Sequence, residues 1–138
     1  MSALTTRFED LAAALVAHAA GVYRLEAAVR LLIGDRRWLE REDFLTLCVQ
    51  LDVDGADGFA GVDWMGTVTA LGAGRLPCSS GERQVLLLAA GLAGGVPVDL
   101  RDALTSIDHA TAVLVAETVA HAAGLRRCAM LPDGGSRR

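Results

Sequence analysis

From Val85 to Ala93 the chain carries no polar side chain, reading VLLLAAGLA, so a helix there has no face for water. Such a helix is enclosed by other elements or lies in a membrane. Extended to Val98 the apolar run reaches 14 residues, short of the roughly 18 that mark a membrane span. Enclosure follows, and no membrane partner is expected. The start of the helix is explicit: Ser79 and Glu82 are spaced as a capping box, each side chain satisfying a backbone N–H of the other's turn. Gly94-Gly95-Val96-Pro97 ends it.

The rest of the chain supplies the enclosure. Hydrophobic residues make up 52% of the 138, yet aromatics only 4%. Ala and Leu carry the apolar content, which favours helices over strands. Thr5 or Thr6 is placed to cap a first helix with Phe8, Leu11, Leu15 and Ala19 on one face. The hexapeptide VAHAAG occurs at Val16–Gly21 and again at Val119–Gly124, each time followed by an apolar residue. That is a helix-stop signal, with His18 and His121 at the negative ends of their helices. The apolar pattern also runs on past Gly21 through Val22, Leu25, Val29 and Leu32, as in one long helix; the stop signal favours instead a break at Gly21 and a second helix over Tyr23–Ile33, with Glu26 and Arg30 as an i,i+4 pair.

A third helix is expected to bury Phe44, Leu47, Cys48 and Leu51. Asp63, Asp99 and Asp108 are each placed to cap a further helix. The apolar sides of those helices are read as Trp64, Met65, Val68 and Leu71; Leu100, Ala103 and Leu104; and Ala112, Val115, Ala116, Val119 and Ala123. No run alternates as a strand does. The expectation is an all-α fold, a compact bundle of six or seven helices around the central helix at about 80–93. Residues 1–125 form one helical domain and residues 126–138 a flexible basic tail.

Catalytic chemistry finds little support. Asp52, Asp54 and Asp57 suggest a calcium loop, but Ala56 and Asp57 stand where an oxygen ligand and a glycine are needed. Cys78 precedes the central helix, where a helix dipole lowers a thiol pKa, yet no histidine is placed to serve it as base. His109 and His121 lie about 18 Å apart on one helix and cannot share an ion, with or without Cys128. Phosphate-binding glycine loops and serine-nucleophile elbows are missing from the sequence. Neither a catalytic residue nor a metal or other cofactor is expected.

The formal charge is −4 and the isoelectric point about 5.3, which disfavours a surface built to grip nucleic acid. A helix-turn-helix centred on Asp108 would present Thr111, Glu117, Thr118 and His121 without one arginine. The candidate contact surface is the cluster Arg36, Arg37, Trp38 and Arg41, residue types that dominate interface hot spots. Its competing role is a helix corner in which Asp35, Glu40, Glu42 and Asp43 neutralise the arginines and Trp38 turns inward. The partner expected is another protein or a second copy of the chain.

WLEREDF, VDW and GRLPCSSGE leading into an Ala/Leu-rich helix resemble short uncharacterised proteins of high-GC actinobacteria, over most of residues 20–124. The resemblance implies a cytoplasmic bacterial protein and transfers no functional residue. Three widely spaced cysteines agree with a reducing compartment. Leu11–Ala20 has the length of a secretory leader's apolar core, but Glu9, Asp10 and His18 stand where a leader avoids them, and export is not expected.

Overall fold

The computed structural model describes residues 2–51 and 60–125, with side chains from residue 7 onward. Among the described residues seven α-helices run in chain order: α1 Ser2–Ala19, α2 Tyr23–Asp35, α3 Glu42–Cys48, α4 Trp64–Gly72, α5 Ser80–Gly94, α6 Leu100–Thr105 and α7 His109–Ala122. A 3-10 turn, Trp38–Glu40, links α2 to α3. The fold is all-α, and the expected aspartate loop and basic tail lie outside the described residues.

Enclosure of α5 holds for most of its circumference. Val85, Leu86, Ala89 and Ala90 are wholly buried, Leu88 and Ala93 nearly so, and Leu87 and Leu92 are half-buried. Its start is the expected capping box, with Ser79 Oγ accepting from the Glu82 N–H at 3.2 Å and Glu82 Oε1 accepting from the Ser79 N–H at 2.9 Å. The second central helix is α2, which packs against α1, α5 and α7 and buries Ala27, Ala28, Leu31 and Leu32 completely. Small residues let these axes approach. A methyl group on Gly34 of α2 would meet the Leu114 side chain of α7 at 2.7 Å.

The two VAHAAG segments each end a helix, but by different bonds. Gly21 and Gly124 take positive φ, 93° and 82°. After α7 the Leu125 N–H reaches the Ala120 carbonyl at 3.0 Å and the Gly124 N–H reaches the His121 carbonyl at 2.9 Å, the full Schellman pattern. After α1 the Gly21 N–H instead donates to Glu26 Oε2 at 2.8 Å. Leu11–Ala20, the leader-like stretch, is the body of α1 except for its last residue, with Leu15 and Ala19 in the core.

Several expectations need correction. α1 begins at Ser2, so Thr5 and Thr6 lie within it and do not cap it. Two three-residue strands, β1 Val49–Leu51 and β2 Ala60–Val62, pair antiparallel with Gln50 opposite Gly61. The ladder continues through the Asp63 N–H to the Cys48 carbonyl at 2.8 Å. α3 therefore stops at Cys48, and Leu51 lies on the hairpin, exposed. Met65, Leu100 and Leu104 also face outward, because the short helices α4 and α6 bury only Thr67, Ala70 and Leu71, and Ala103, respectively.

The largest correction concerns α7. Of the expected buried stripe only Val115 is in the core. Ala116, Val119 and Ala123 are exposed and Ala112 is half-buried. The face turned toward the bundle carries Thr111, Val115 and Thr118. Thr118 is tolerated there because its Oγ1 donates to the Val115 carbonyl at 2.9 Å, within the helix's own backbone.

Candidate functional site

The arginine corner folds around the first turn of α5. Trp38 is completely buried and its Nε1–H donates to the Glu82 carbonyl at 2.8 Å. Phe44 packs against the indole with ring centroids 5.5 Å apart. Each arginine meets a carboxylate: Arg36 to Glu40 at 3.0 Å, Arg37 to Asp35 at 2.8 Å, Arg41 to Asp43 at 2.6 Å. Arg36 also lies over the Phe8 ring at 3.8 Å, and Arg41 over the Trp38 ring at 4.5 Å. The Arg41 guanidinium holds the Asp43 carboxyl below its ordinary range. The Glu82 carboxyl is lowered too, first by the Ser79 N–H and further by Arg37 and Arg41. Trp38, the apolar anchor such a contact face needs, contributes no surface.

Neither Cys48 nor Cys78 lies where its thiolate is favoured on balance. Burial pushes both Cys48 and Cys78 above the ordinary thiol value, and the Glu82 carboxylate raises Cys78 further. A helix N-terminus alone does not activate Cys78, because the carboxylate of the capping box occupies the same turn. Among the described residues no group of three or more His, Cys, Asp or Glu could hold a metal ion. Cys128 lies outside them.

A pocket of about 130 Å³ opens between α1, α2, β2 and the start of α4, with Leu15, His18, Leu25, Val29 and Trp64 among its walls. It has room for about four waters, too little for a nucleotide or flavin. The His18 ring rests over Gly61, its Nε2 3.2 Å from where a Cβ would stand.

Among the described residues the outer face of α7 is a further exposed apolar surface, beside the outward Leu100 and Leu104 of α6. Ala112, Val113, Ala116, Val119, Ala120 and Ala123 lie within an arc of about 120° at 3.6 residues per turn. All six are exposed or half-buried, Val113 at 46% and Val119 at 51%. His109 is the one polar residue on that arc, at its N-terminal end. Sequence reading missed this face because the same residues form a convincing inward stripe. The only available signal was the pair of threonines at Thr111 and Thr118 on the opposite side. Those two, with His121 bonded to Glu26, also remove three of the four residues a helix-turn-helix reading would use.

No family model matches this sequence, and no curated protein or solved structure matches it. Among the described residues no helix is long and apolar enough to cross a membrane.

Proposed function

We propose that the chain is a non-enzymatic helical module that binds protein through the outer face of α7. The carrying observation is the continuous apolar arc from Ala112 to Ala123, turned away from the bundle while two threonines face inward. Contiguous exposed apolar surface of this kind marks interaction sites. The raised thiols and the lack of a metal-binding cluster among the described residues supply no competing chemistry. A bacterial cytoplasmic setting accords with the resemblance and with free Cys48 and Cys78.

The arginine corner is the second candidate surface, now reduced to Arg36, Arg37 and Arg41. Its favouring observation is that Arg36 and Arg37 keep about half of their side chains exposed, at 51% and 44%. Affinity capture with purified chain decides between the two. Val119→Glu should abolish partner recovery with helicity unchanged, and Arg36→Ala with Arg37→Ala should leave it intact. The reverse outcome moves the site to the corner. A nucleic-acid partner would instead show binding that weakens steeply with salt.

A further inference from the structure

The pocket between α1, α2, β2 and the start of α4 belongs to neither candidate surface. Of its walls, Leu15 and Val29 are buried, and Leu25, Val62 and Trp64 are half-buried. The space stays open because the remaining positions on α1 and β2 hold the small residues Ala19, Ala60 and Gly61. No wall residue carries a carboxylate or a guanidinium. We propose that this pocket is a binding site for a small, neutral aromatic molecule of a single ring. The site goes beyond the protein-binding reading and stands independently of it.

Size and lining together select that class. An apolar cavity of about 150 Å³ stays dry and takes up benzene or xenon, and this pocket measures about 130 Å³. Walls made mainly of hydrocarbon hold water poorly, so an apolar occupant displaces it at a gain. Trp64 and the His18 imidazole supply ring surfaces, which favour an aromatic occupant over an aliphatic one of equal size. Gly61 lets that imidazole rest directly on the strand, since a Cβ there would stand 3.2 Å from His18 Nε2. A carboxylate buried against these walls would meet no guanidinium, which disfavours an anionic ligand.

Because four separate elements build the walls, the site exists only in the folded chain. Its occupant therefore stabilises the fold, by a factor that grows with ligand concentration over Kd. A ligand of six heavy atoms in a partly open pocket binds modestly, with a Kd of about 1 mM. At ten times that concentration the folded-to-unfolded ratio rises about elevenfold.

Methyl NMR of the full chain titrated with benzene tests it. The methyls of Leu15, Leu25, Val29 and Val62 should shift on one saturation curve, while those of Val113 and Val119 on α7 stay in place. Benzoate at about pH 8, where ordinary imidazoles are neutral, should bind at least about tenfold more weakly. Val62→Trp fills the pocket and should abolish the benzene shifts. Leu25→Ala enlarges it and should admit naphthalene, which the wild-type chain rejects. Both positions are half-buried, and circular dichroism confirms that each variant folds. Absent benzene shifts at the pocket, shifts spread equally over α7, or benzoate binding as tight as benzene would each overturn the proposal. So would a folded Val62→Trp chain that still binds benzene, or a folded Leu25→Ala chain that takes no naphthalene.

Discussion

His121 of α7 and Glu26 of α2 meet at 2.7 Å, Nε2 to Oε1, and the second oxygen of the same carboxylate accepts the Gly21 N–H at 2.8 Å. One carboxylate thus ties together the endings of both VAHAAG segments. Tyr23 stands edge-on to the His121 ring at 5.7 Å and closes the cluster. The expected i,i+4 partner, Arg30, contributes only a weak long-range attraction to Glu26.

Acid should loosen this junction. The Gly21 N–H and then His121 hold the Glu26 carboxyl below its ordinary value. A lowered folded-state value stabilises above the unfolded value and loses that contribution as pH falls through the folded one. The wild-type chain should therefore lose more stability than Glu26→Gln below about pH 4.3, the ordinary glutamate value. At pH 7, Glu26→Ala should cost about 1 kcal/mol, since the pair is partly solvated. Urea denaturation of both chains across pH 3–7 measures this; parallel curves would count against it.

The indole of Trp38 should dominate the arginine corner. Trp38→Ala removes a wholly buried ring and should cost about 3–5 kcal/mol. Trp38→Phe should cost about 1–2 kcal/mol, through the lost Nε1–H bond to Glu82 and imperfect filling. Arg37→Ala should cost about 1–3 kcal/mol, because it leaves the Asp35 carboxylate, its side chain only 4% exposed, without its guanidinium. Denaturation midpoints for the three variants give the ranking; equal costs at Arg37 and Trp38 would refute it.

Helix endings make a finer test. Alanine at Gly21 or Gly124 must adopt positive φ, at a cost of about 1–2 kcal/mol. Only Gly124 adds crowding, because its new methyl would stand 3.2 Å from Tyr23, whereas Gly21 has open space. Gly124→Ala should melt below Gly21→Ala, and the opposite order would place the Tyr23 ring elsewhere.

The Cys78 thiol should alkylate more slowly than free cysteine at neutral pH, because burial and Glu82 both disfavour the thiolate. Iodoacetamide labelling followed by mass spectrometry reads the rate. Labelling faster than free cysteine would reopen a nucleophilic role.

Features governed by neighbouring residues were legible. The capping box at Ser79 and Glu82, the aspartate caps at Asp63, Asp99 and Asp108, and the break at Gly21 all stand in the fold. Each depends on side chains within a turn of the backbone groups they satisfy. Features decided by rotation or distant pairing were not. α7 has apolar residues on opposite arcs, so periodicity cannot choose which faces inward. The hairpin is three residues per strand, too short for alternation to register. At the corner the sequence supplied both roles for Trp38, and only the reach from Trp38 to Glu82, 44 positions along the chain, selects the inward one.

The orientation of α7 carries the functional account, and cysteine accessibility tests it directly. In a Cys48→Ala, Cys78→Ser and Cys128→Ser background, single cysteines at positions 115, 116, 118 and 119 are labelled in dilute solution. Positions 116 and 119 should react nearly as fast as a free thiol, and 115 and 118 at least about tenfold more slowly, as buried thiols do. Protection at 116 and 119 with ready labelling at 118 would turn the helix over and remove the proposed face.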